Sequence, residues 1–328
     1  FIKDEEITTE KDIKAEIGAY FIHDKITLKK NETDYWLFAA EVNQTHSDIT
    51  LLINKLKDKP GLISELEADL QAGTNSLKEL VGKADGLQQT ADELMTGRHY
   101  SNVLFNIMRG GIFEDNYMIE KADFIQHFKT FNQAVFKQNA NFFEKLDKII
   151  DYQVLIEEAH KTDSKDVIRI TYEYLPLTFS RRHGDPSRPW NKFSIPGKDK
   201  NGKNIHNYQG NWRDIFQNWE ALALSFPEFL TSMITKFLNA STIDGYNPYR
   251  ITRNGIDWEV VDPDDPWAYI GYWGDHQIIY LLKLMELASK FESQKFNELL
   301  SQSIFVYANV PYKIKNYNQI VETPKDTI

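Results

Sequence analysis

Apolar positions recur along this chain with two different spacings. In residues 15–42 they alternate: Ile17, Ala19 and Phe21, then Ile26 and Leu28. Asn31-Glu32-Thr33-Asp34 interrupts them as a turn, and Tyr35 to Val42 continues as an apolar extended run. The period of two predicts a hairpin at the edge of a sheet. From Thr45-His46-Ser47-Asp48 onward the spacing becomes helical. Stretches at 48–58, 61–72 and 74–96 are expected as helices, punctuated by Pro60-Gly61 and Gly73-Thr74 and weakened by Gly82 and Gly86.

Gly110-Gly111 ends the next apolar run and lets backbone approach a neighbour closely. Residues 118–160 read as one long amphipathic helical region, with Phe124, Phe128, Phe131, Val135, Phe142, Leu146 and Ile149 as its core stripe. Ile168, Ile170, Tyr172 and Tyr174 alternate, which predicts a short strand within 167–179. A polar loop follows from Ser180 to Gly210. Helices are then expected at 211–224, 226–239, 267–290 and 293–308, with turns at Asp244–Pro248 and Asp262–Pro266. From residue 118 the rhythm is helix, polar and aromatic loop, helix. It suits a toroid of helical hairpins whose loops build a cleft at one end.

Composition narrows the function classes. The net charge of -10 argues against a nucleic-acid surface, which needs clustered Lys and Arg. No apolar run reaches the length of a membrane span. The chain has no cysteine, so disulfides and thiolate metal sites are excluded, and cytoplasm and disulfide-free export both remain open. It begins at Phe1 and ends in a polar segment, so we expect a piece of a longer polypeptide, the rest of which would be its partner. No serine-hydrolase elbow, P-loop, dinucleotide fingerprint or zinc-protease motif is present, and no cofactor or metal is expected.

The chemistry concentrates between Trp212 and Asp275. Arg213 and Asp214 open a helix, with Gln217 and Asn218 one turn on, so Arg213 and Gln217 share one face and Asp214 and Asn218 share another. Trp219 and Glu220 lie beside them. Asp262, Asp264 and Asp265 precede Trp267, and G-Y-W-G-D-H at 271–276 contributes Trp273, Asp275 and His276. Earlier, Arg181, Arg182, His183, Asp185 and Arg188 form a basic cluster ending in Trp190. Flat rings stack on pyranose faces, while acids and guanidinium groups hold hydroxyls and move protons. Each feature also has a structural reading. The acids can be helix caps, the basic cluster an internal ion-pair network, and the aromatics core.

The segment Trp212-Arg213-Asp214-Ile215-Phe216-Gln217-Asn218 resembles the F-R-D-S-x-Q-D segment of the (α/α)6-barrel carbohydrate enzymes, in particular the cellobiose and chitobiose phosphorylase group. Asp214 and Gln217 match, and Asn218 replaces an acid. Pro263-Asp264-Asp265-Pro266-Trp267 resembles their S-D-D-x-x-W segment with Trp one residue closer. The resemblance implies a mainly α chain: a six-hairpin barrel, incomplete here, with a β-sandwich remnant at 1–46, linker helices at 47–97 and barrel helices at 98–328.

It also implies an inverting glycoside hydrolase or phosphorylase acting on an oligosaccharide, with inorganic phosphate as co-substrate in the second case. Arg213 and Asp214 would then hold the non-reducing sugar. Asp265, Asp275 and Glu220 are the candidates for proton transfer; Trp219, Trp267 and Trp273 are the candidates for stacking. Gln217, His276, Arg181, His183, Arg188 and Trp190 complete the substrate-binding set. The family's G-D-W-N-D-G-like acid segment is missing before Ile328. That keeps a non-catalytic carbohydrate-binding protein, or a helical scaffold on the same fold, as the alternative.

Overall fold

A computed structural model describes residues 25–40, 44–178, 199, 204–243, 245–258, 278–309 and 317–322. The described chain is mainly helical, as its apolar spacing predicts. It divides into two compact units, residues 1–73 and 74–328.

In the first unit, helix α1 (His46–Lys55) starts at a capping box. Thr45 accepts from the Asp48 amide, and the Asp48 side chain accepts from the Thr45 amide. Helix α2 spans Lys59–Lys83 without the break expected at Gly73-Thr74. Gly73 has open space around it, and a lone glycine costs only about 1 kcal/mol inside a helix, which good helix formers on both sides offset. Lys55–Glu65 at 2.5 Å and Tyr35–Glu67 at 2.7 Å are side-chain ties of this unit. None of its described residues is buried. The hairpin expected over 15–42 is not seen in its described part: residues 25–40 hold a turn at Lys30-Asn31 and no strand, and 15–24 and 41–42 lie outside the described residues.

The second unit carries the core. Helix α2 ends where Asp85 takes a positive φ and the Gly86 amide donates back to the Val81 carbonyl. Helix α3 (Glu93–Gly110) is capped by Asp92 and stopped by Gly111 at φ 89°. Gly110 is required by packing, since a Cβ there would lie 2.8 Å from the Cβ of Asn218 on α9.

Residues 118–160 depart from the single helix expected of them. They form β1 (Met118–Glu120), α4 (Lys121–Phe131), α5 (Gln133–Gln138), α6 (Ala140–Lys145), β2 (Ile149–Asp151) and α7 (Tyr152–His160). Asparagines make the breaks. Asn132 caps α5 by accepting from the Val135 amide, and the Asn139 amide group donates to the Val135 carbonyl. Strands β1 and β2 pair antiparallel with Ile119 opposite Ile150, closing the segment on itself. Phe124, Phe128, Val135, Phe142 and Leu146 are buried as expected, whereas Ile149 is exposed and Ile150 takes the inward place.

The strand expected within 167–179 is helix α8 (Lys165–Tyr172), capped by Ser164. Val167, Ile170, Thr171 and Tyr174 are all buried, and they carry helical spacing through the same apolar run that alternates. Strand β3 (Gln209–Asn211) leads into α9 (Trp212–Ser225), and a 3-10 turn at Pro227–Phe229 precedes α10 (Leu230–Ala240). Strands β4 (Arg250–Thr252) and β5 (Gly255–Asp257) complete an antiparallel three-stranded sheet with β3. Sequence reasoning missed this sheet, although Asn254-Gly255 is a hairpin signal. Helices α11 (Ile278–Phe291), α12 (Ser293–Ser301) and α13 (Tyr317–Glu322) follow, so the helix expected over 293–308 ends seven residues early.

Aromatic rings fill the core. Phe113 stacks on Phe229 at 3.9 Å, and Trp212, Phe216, Trp219 and Phe237 meet at 4.6–4.9 Å, mostly edge to face. Such pairs add about 0.5–1.5 kcal/mol each beyond their burial. Among the described residues no helix is long and apolar enough to cross a membrane.

Candidate functional site

The start of α9 is the part of the expected site that lies within the described residues. Helical geometry divides its polar residues as the i, i+4 spacing requires. Asp214 and Asn218 are buried, Arg213 is half-buried and Gln217 is exposed. Arg213 donates to Asp214 Oδ1 at 3.3 Å, and the Asn218 amide group donates to the Asp214 carbonyl. Asp214 stands in the first turn, where the helix dipole favours its charge.

The other two candidates on this helix have structural partners. Trp219 is fully buried; its indole N–H donates to the Gly110 carbonyl at 2.9 Å, and its ring meets Phe216 and Tyr208. It is a core ring locking α9 to α3, which corrects its reading as a stacking platform, since a pyranose needs an open ring face. Glu220 takes both of its oxygens to the Lys283 ammonium, at 3.0 and 3.1 Å, tying α9 to α11. Arg181, Arg182, His183, Asp185, Arg188, Trp190, Asp262, Asp264, Asp265, Trp267, Trp273, Asp275 and His276 lie outside the described residues.

Two constellations were not read from the sequence. The first centres on Asp123, in the opening turn of α4. Its Oδ2 accepts from the Tyr174 hydroxyl at 2.6 Å and from His206 Nδ1 at 2.9 Å, and its Oδ1 accepts from the Arg253 guanidinium. Arg253 also donates to the His206 carbonyl. Burial alone would push the Asp123 carboxyl up. The His206 bond and charge, the Arg253 charge and the Tyr174 hydroxyl together hold it well below the usual carboxylate range. Tyr174 is pushed well above its ordinary value by burial and by Asp123. One turn along α4, His127 is fully enclosed with Nε2 at 3.1 Å from the Ile170 carbonyl. Burial, then the Lys236 charge, lower it to about 3, so it is neutral.

The second is a cleft of about 470 Å³ among α7, α8, α10 and α12. Tyr152, Tyr172 and Ile156 supply its flat and apolar lining, and Glu157, Glu292, Glu298, His160 and Lys295 supply polar groups. His160 Nε2 lies 3.1 Å from the Tyr172 hydroxyl, and burial lowers His160 from its ordinary value. Burial, with the Glu292 and Glu298 charges, pushes Tyr172 up to about 12, which keeps its hydroxyl a hydrogen-bond donor. Lys295 bridges Gln153 at 2.9 Å and Glu292 at 3.1 Å. Tyr152 and Tyr172 are buried and offer no open ring face, so the cleft's means of holding a hydroxyl-rich ligand are its polar groups.

Residues 113–176 match the sequence model of glycoside hydrolase family 149 insertion domain 1. This match relates the segment 113–176 to glycoside hydrolase family 149. It spans about a fifth of the 328 residues and runs from Phe113 through β1 to four residues past the end of α8. No curated protein matches the chain. The matched segment supplies Asp123, His127 and Tyr174 to the first constellation, and Tyr152, Glu157, His160 and Tyr172 to the second. His206, Arg253 and Lys236 come from outside it. No local motif joins these residues: Asp123 lies 51 positions from Tyr174, 83 from His206 and 130 from Arg253.

Proposed function

We propose that the chain is part of a carbohydrate-active enzyme, an inverting glycoside hydrolase or phosphorylase that acts on oligosaccharides. The match of residues 113–176 to a glycoside hydrolase family 149 insertion domain carries this reading. The lining of the α7–α8–α10–α12 cleft supports it, as does the Arg213-Asp214 start of α9. In this reading Arg213, Asp214 and Gln217 hold hydroxyls of the non-reducing sugar. Asp265 and Asp275 are the candidates for proton transfer to the leaving oxygen, and Trp267, Trp273 and Trp190 for stacking. His276 and the Arg181, His183 and Arg188 cluster complete the substrate contacts. Inversion needs two carboxyl groups separated enough to admit water, or phosphate in a phosphorylase, opposite the leaving group.

A second reading is carbohydrate binding without turnover. The extent of the match favours it, because the segment matched is an insertion domain alone. Turnover of an oligosaccharide panel with and without inorganic phosphate separates the readings, with the product anomer followed by NMR. A phosphate-dependent sugar phosphate identifies a phosphorylase, and inverted sugar without phosphate identifies a hydrolase. Binding without product leaves the second reading. An absence of both binding and turnover sinks the carbohydrate assignment.

A further inference from the structure

Helix α10 is buried at every position from Leu230 to Phe237, and Lys236 is the charged residue in that run. Lys236 is only 5% exposed. Its ammonium sits over two rings, 5.2 Å from the centroid of Phe131 at the end of α4 and 5.6 Å from that of Tyr208 just before β3. Among the described residues no carboxylate lies within ion-pair distance of it and no oxygen accepts its N–H groups. The carboxylates nearby are matched. Asp123 has Arg253, and Glu173 has Arg169 at 3.1 Å and Asn239 at 2.6 Å. Two ring contacts stabilise a cation by less than the cost of burying its charge without a counter-ion.

The surroundings confirm the imbalance. Lys236 and Arg253 are the cations acting on His127, and Asp123, already bonded to Arg253, is the carboxylate acting on it. Neutral His127 adds no charge of its own. Among the described residues, one positive charge is left over between α4, the 204–208 segment and α10, and a small anion would match it.

We propose that Lys236 anchors a binding site for a small oxyanion, a phosphate, sulfate or carboxylate group held between Phe131, Tyr208 and α10. The inference rests on the charge balance and is independent of the glycoside reading. The test is thermal unfolding of the full chain, without sugar, in sodium phosphate, sulfate or acetate against sodium chloride at matched ionic strength. Wild type gains about 5 °C in Tm when one of these oxyanions reaches a hundredfold excess over its Kd. Lys236→Arg keeps the gain. Lys236→Met loses it, and in chloride alone is at least as stable as wild type, because the lone charge is gone. A gain with phosphate and not acetate assigns a phosphoryl or sulfuryl type of ligand; the reverse assigns a carboxylate. Three results overturn the proposal: no oxyanion outperforms chloride; Lys236→Met shows the same gain; or Lys236→Met is destabilised equally in every salt, which makes the ring contacts the whole role.

Discussion

Asp214 and Asp123 are both aspartates in the first turn of a helix, and the structure uses them differently. Asp214 bonds to Arg213, its own neighbour, and shares the polar opening of α9 that the sequence displays. Asp123 gathers Tyr174, His206 and Arg253 from three distant places and joins α4 to the end of α8, the approach to β3 and the β4–β5 turn. The Arg213–Asp214 pair is local and leaves Arg213 half-buried. The second is a closed structural hub.

The sharpest way to break this comparison is to neutralise both acids. Asp123→Asn strands Arg253 and is expected to cost about 3–5 kcal/mol in denaturant unfolding. Asp214→Asn loses one long 3.3 Å contact to half-buried Arg213 and is expected to cost less, about 1–3 kcal/mol, and to weaken sugar affinity about tenfold. Equal stability losses would erase the distinction between hub and site. A second sharpening comes from Trp219→Phe, which leaves the buried Gly110 carbonyl without its donor. We expect a loss of about 1–3 kcal/mol with sugar affinity unchanged; lost affinity in a stable protein would return Trp219 to the binding surface.

The hub also sets a pH dependence. His127 is neutral when folded and titrates at about 3, whereas the unfolded histidine titrates near 6.5. The unfolded state therefore binds more protons, and stability falls by about 1.4 kcal/mol per unit as pH drops from about 6.5 towards 3. The depressed Asp123 carboxyl acts in the same direction, from about pH 4 downward. His127→Gln should flatten the slope between pH 6 and 4, and an unchanged slope would place the acid sensitivity elsewhere. The smallest effect is expected at Glu220. Its part-exposed pair with Lys283 contributes at most about 1 kcal/mol in a double-mutant cycle. With Glu220 as a structural tie, Glu220→Gln leaves turnover of a confirmed substrate within about twofold; as the proton donor, it would cost orders of magnitude.

Much of the local structure was legible. Thr45-x-x-Asp48 marks the start of α1, Gly111 the end of α3, and Pro227 the entry to α10, because each signal acts within a few residues. The errors arose where two local signals coexisted. The 167–174 run fits both a strand and a helix, and the Ser164 cap with tertiary burial selects the helix. Asn132 and Asn139 divide an apolar stripe that periodicity reads as continuous.

Sequence alone determined the helical character, the positions of most caps, the aromatic core stripe and the division of the α9 face into Arg213/Gln217 and Asp214/Asn218. These depend on spacing of 3.6 residues and on side chains bonding to backbone one turn away. Only the tertiary structure decided that Trp219 is core, that Glu220 serves an interhelical ion pair, that Asp123 is a hub and that Lys236 is a buried cation over two rings. Each of those depends on which groups, up to 130 positions away, close around a side chain and remove it from water.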